Sequence, residues 1–70
     1  MNTERKVNRV VSVERRNNDV FGWHLYTTYQ DGGNTLFGKT HMTDRGSKRE
    51  LTITAKRFGL VKDGDVATLA

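Results

Sequence analysis

Apolar and polar residues alternate through much of the first 42 positions, the period of a strand with one buried face. From Lys6 to Arg15, Val7, Val11 and Val13 fall on one side, and Asn8, Val10, Ser12 and Glu14 on the other. Arg16, Asn17, Asn18 and Asp19 then signal a turn, because Asn and Asp tolerate the left-handed backbone. A three-residue loop of Asn17, Asn18 and Asp19 sets Val13 opposite Trp23 and Val11 opposite Leu25. A two-residue loop would set Ser12 against Trp23 and Glu14 against Phe21, so the longer loop is preferred.

Two further strands, Phe21 to Gln30 and Asn34 to Met42, flank Asp31, Gly32 and Gly33. With Gly32 and Gly33 as the loop, Trp23 opposes Met42, Leu25 opposes Thr40 and Tyr29 opposes Leu36. The other face then sets His24 against His41, Tyr26 against Lys39 and Thr28 against Phe37. Moving the turn to Asp31 and Gly32 slides the pairing by two residues and keeps the faces. The expected core face is Val7, Val11, Val13, Phe21, Trp23, Leu25, Tyr29, Leu36 and Met42. The second face carries Val10, Ser12, His24, Tyr26, Phe37, Lys39 and His41, and residues 42–46 read as a loop.

From Ser47 two patterns compete. Ser47 and Glu50 have capping-box spacing, and Gly59 follows Lys56 and Arg57 as a helix stop. Leu51, Ala55 and Phe58 would then share a helical face. Yet Leu51, Thr52, Ile53 and Thr54 alternate like a strand and are rich in β-branched residues. The preferred solution is a strand from about Lys48 to Ile53, a short helix capped by Thr54, a turn over Lys62 to Asp65 and a last strand from Asp65 to Leu69. One longer helix is the alternative. The predicted class is α+β, mostly β: a three-stranded antiparallel meander, a short helix and one or two C-terminal strands, as a small sheet or a partly open barrel. Residues 1–5 are expected to be disordered and 6–70 to form a single small domain.

Residues 51–69 contain Gly59, Leu60, Gly64, Asp65 and Val66 in a helix-stop and turn spacing. This tail resembles the strand, short helix, turn and strand of AbrB-like swapped-hairpin DNA-binding domains, and double-psi barrels carry a similar unit. The likeness covers under a third of the chain; its helix is shorter, and Thr54 stands where that pattern has proline. It implies a local structure rather than a function.

Composition narrows the rest. Twelve Lys and Arg against eight Asp and Glu give the 70-residue chain a net charge of +4, which favours polyanionic partners. There is no cysteine, so no disulfide or thiolate-bound metal is available. A chain this short buries a modest core, and a homodimer is one way to hide more apolar surface. No run approaches the roughly 20 apolar residues of a membrane span, and the charged start leads into no signal-peptide core. A cytoplasmic location is expected. No phosphate loop, nucleophile elbow or spaced acidic pair argues for an enzyme, and no cofactor is implied. His24 and His41 lack a third ligand in the pattern, so metal binding is not expected.

The leading expectation is non-catalytic nucleic-acid binding. Arg15, Arg16, Lys39, Arg45, Lys48, Arg49, Lys56 and Arg57 would meet phosphates, with Tyr26 and Phe37 as stacking groups unless the tail covers their face. The alternative is a modulator of the kind common among accessory proteins of phages and mobile elements, binding a larger host or partner protein through its sheet face or edge.

Overall fold

The computed structural model describes residues 9–69; Val7 and the N-terminal residues expected to be disordered lie outside them. The elements are β1 (Val10–Asn18), β2 (Gly22–Tyr29), β3 (Asn34–Met42), α1 (Asp44–Phe58), β4 (Leu60–Asp63) and β5 (Val66–Leu69). The strands form one open antiparallel sheet in the order β3-β2-β1-β5-β4. The class is therefore α+β and mostly β, with the meander in place and both C-terminal strands extending the sheet. Helix α1 carries the chain from one edge strand to the other and packs on β1, β2, β4 and β5. Val13, Leu25, Leu51, Ala55, Leu60 and Ala67 form the core between sheet and helix, with Val10, Phe37, Met42 and Phe58 packed around it.

The first hairpin turns later than the expected register. Asn18 ends β1 and its Oδ1 accepts the backbone N–H groups of Val20 (2.9 Å) and Phe21 (2.6 Å), so it starts the turn instead of sitting inside it. Val13 pairs with Thr27, Arg15 with Leu25 and Asn17 with Trp23. The even slip keeps the faces but leaves Phe21, expected in the core, 39% exposed. It also sets Arg15 on the core side. An irregularity between Val10 and Ser12 brings Val10, expected on the second face, against the core. The Thr27 hydroxyl is buried with no hydrogen-bond partner among the described residues.

The second hairpin holds two registers at once. Gln30, Asp31 and Gly32 form the loop, closed by Tyr29 N–H to the Gly33 carbonyl at 2.8 Å and Gly32 N–H to the Tyr29 carbonyl at 2.9 Å. Leu25 consequently pairs with Phe37 rather than Thr40, and Tyr26 with Leu36. A slip of three residues is odd and reverses the faces of that half of β3. Phe37 goes to the helix side and meets the Phe58 ring edge-on at 5.6 Å, while Leu36, expected in the core, lies beside Tyr26. Trp23 still pairs with Met42 as expected, because Gly38, Lys39, Thr40 and His41 all stand opposite His24. His24 and His41 are therefore not a cross-strand pair.

Residues 44–58 are one helix, so the strand expected from Lys48 to Ile53 is helical, as is the second part of the loop expected over 42–46, while Met42 ends β3. Thr43 is the N-cap, accepting the Gly46 N–H at 2.9 Å; Asp44 opens the first turn and Lys56 and Arg57 close the last. Gly59 caps the C-terminus at φ +69°, its N–H directed at the Ala55 and Lys56 carbonyls. Ser47, Leu51, Thr54 and Ala55 make the buried stripe. That burial outweighs the weak helix preference of Thr52, Ile53 and Thr54. The tail thus departs from the AbrB-like strand at its start but keeps the helix stop at Gly59, the buried Leu60 and the Gly64–Asp65 turn.

Candidate nucleic-acid interface

Arg15 and Arg16 are adjacent on β1 and point to opposite faces, as strand geometry requires. The Arg15 guanidinium is buried on the helix side. It bonds Asp65 Oδ1 through Nε (3.1 Å) and Nη2 (2.8 Å), and through Nη1 it bonds Ser47 Oγ (2.9 Å), the Asp44 carbonyl (3.3 Å) and the Asp44 carboxylate. Its carbon lies 4.1 Å from the centre of the Trp23 ring. Burial alone would lower its pKa, but the hydrogen bonds and charges of Asp65 and Asp44 outweigh that and raise it. The same hydrogen bond to Arg15 holds the Asp44 carboxyl below its ordinary range, helped by Lys48 at 3.8 Å. Arg15 thus ties β1, the start of α1 and the β4–β5 turn together, and it is withdrawn from any partner.

Arg16 faces away from the helix. Its Nε and Nη2 reach Glu14 Oε1 at 2.9 Å, and its guanidinium lies 3.9 Å from the centre of the Tyr26 ring. Tyr26 lies beneath it on the side of the sheet away from the helix, with Leu36 opposite Tyr26 on β3. Tyr26 remains on the open face and Phe37 is beneath the helix, so the two expected stacking residues do not share a surface.

The remaining expected cations gather on the helix side. Arg45, Lys48, Arg49, Lys56 and Arg57 are all exposed on α1, and Arg45, Arg49 and Lys56 recur at the spacing of one outward stripe. Acidic residues on this helix are Asp44, already engaged by Arg15 and Lys48, and Glu50. Lys39 joins them from β3, where it lines a groove with Arg49 of α1. This groove, between Gly38–Met42 and the first half of α1, also takes in His41, Met42, Glu50 and Ile53. None of these four is among the expected phosphate or stacking residues. Gly38 was the available signal, since a glycine inside a strand pattern marks a bulge. Among the described residues no three His, Asp or Glu side chains are grouped to hold a metal ion, and no helix is long and apolar enough to cross a membrane.

Comparison of the chain with protein-family models, with curated proteins and with solved structures finds no match.

Proposed function

We propose that the chain is a small, non-catalytic nucleic-acid-binding protein that meets its ligand with the outward face of α1 and the adjoining Lys39. The observation that carries this reading is the charge segregation: five exposed cations on one helix, with Asp44 drawn into the Arg15 cluster and Glu50 the other acidic residue. A polyanion gains there by releasing condensed counterions, and no chemistry is asked of the protein. The test is a titration of fluorescently labelled single-stranded and duplex DNA and RNA at about 50 and 200 mM salt, followed by anisotropy. Binding that weakens steeply with salt is expected, and Lys56→Glu with Arg57→Glu is expected to lower the salt slope by about two. Binding that ignores salt, or none at low salt, overturns the reading.

One observation favours a second reading, a modulator of a larger partner protein. The open face carries Tyr26 and Leu36, and edge strand β4 presents Val61 with 54% of its surface exposed. A protein held by strand addition or by that face would be lost on Tyr26→Ala and unaffected by charge reversal at Lys48 and Arg49.

A further inference from the structure

The segment from Gly38 to His41 is a four-residue excursion opposite one residue of β2. His41 N–H donates to the Phe21 carbonyl at 2.7 Å. Gly38 and His41 both have left-handed backbones, at φ +76° and +58°. A side chain at Gly22 would be strained, because the backbone φ there is +59° and its Cβ would stand 3.0 Å from His41 Cα. A non-glycine residue in this conformation persists only where its surroundings impose it, and such residues concentrate at functional sites. Bulges likewise re-aim side chains that a regular strand would send elsewhere.

Here the excursion makes one wall of an open groove whose other wall is α1. The groove is open to solvent and has a volume of about 410 Å³. Lys39, His41 and Arg49 supply donors, Met42 and Ile53 an apolar surface, and Glu50 an acceptor. Ile53 is 48% exposed, which a plain phosphate-binding surface does not explain.

We infer that this groove takes one unpaired nucleotide of a nucleic-acid strand. The phosphate meets Lys39, Arg49 and the His41 ring, the base lies on Met42 and Ile53, and Glu50 accepts from an exocyclic amine or a sugar hydroxyl. The inference rests on the nucleic-acid reading above and narrows it to single strands, because a duplex keeps its base faces stacked and offers the groove only phosphates.

The test compares a single strand of about ten nucleotides with its duplex at about 50 mM salt, using the full chain. Two double variants are read alongside: Lys39→Ala with Ile53→Ala in the groove, and Lys56→Ala with Arg57→Ala outside it. All four positions are exposed, and unchanged melting temperatures confirm that each variant folds. The groove variant is expected to lose roughly tenfold affinity for the single strand and less than about threefold for the duplex. The variant outside the groove weakens both ligands alike. Equal losses for the two ligands in the groove variant overturn the inference and leave general nucleic-acid binding standing. Absence of wild-type binding to every oligonucleotide overturns both. Adenosine monophosphate in large excess is expected to leave the strand bound, since the α1 cations hold the flanking phosphates. Displacement of the strand at equimolar nucleotide would make this a free-nucleotide site and overturn the strand assignment.

Discussion

Arg15 and Arg16 are neighbours in the chain and have the same kinds of partner, an aromatic ring and a carboxylate, on opposite faces of the sheet. Arg15 is 7% exposed and holds three elements together; Arg16 stays at the surface with one acidic partner from its own strand. The difference is the helix. On the covered face a charge is tolerated only because five hydrogen bonds to Asp44, Ser47 and Asp65 and the Trp23 ring replace water. On the open face solvent does that work, and the same chemistry contributes little to stability.

Substituting the two arginines is the sharpest way to break this comparison. Arg15→Ala should cost about 3 kcal/mol, at the low end for a buried pair because Asp44 and Asp65 keep more than half of their side-chain surface in water. For a domain of this size that is a drop of roughly 12–24 °C in melting temperature, measurable by circular dichroism. A drop below about 4 °C would mean that the cluster is not structural. The cluster also sets an acid limit. The Asp44 carboxyl is depressed in the folded state, so its contribution is complete above the unfolded value of about 3.9 and is lost as pH falls through the lower folded value. Melting temperature should therefore fall below about pH 4, less steeply in Asp44→Asn.

Gly22→Ala comes next, at about 2 kcal/mol, since it adds a Cβ against His41 Cα at a backbone φ of +59°. Urea titration would measure it, and a neutral result would show that the β3 excursion is free to move. Thr27→Val should act in the opposite direction. It removes an unpartnered buried hydroxyl at constant shape and should stabilise by about 1 kcal/mol; destabilisation would reveal a partner for that hydroxyl. Arg16→Ala is the smallest change, about 0.5 kcal/mol, and a loss approaching that of Arg15→Ala would erase the distinction between the faces.

How far the pattern of residues discloses this arrangement varies by element. The meander, Trp23 opposite Met42, the Gly59 stop and the Gly64–Asp65 turn are legible because each rests on a local rule of turn chemistry or alternation. Phe37 is not, because its face depends on whether the excess residues of the hairpin fall in the loop or at Gly38–His41, and alternation alone permits either. The helix over Leu51–Ile53 is decided by tertiary burial of Leu51 and Ala55, which local β preference opposes. The cations of α1 are legible as polar positions, but their collection on one helix requires that helix to include Arg45, Lys48 and Arg49. Arg15 is legible as interior, since it continues the face of Val11 and Val13 at the end of the first strand; its positive charge, which places it among the phosphate-binding cations, obscures that.

The division of labour between the two faces is tested most directly by following backbone amide shifts of the isotope-labelled protein as a single strand of about ten nucleotides is added. The expected changes centre on Lys39 to Met42 and on the residues of α1 from Arg45 to Arg57, with Ser12, Glu14, Tyr26 and Thr28 unmoved. Changes centred on the open face, or none at low salt, would contradict the assignment of ligand binding to the helix side.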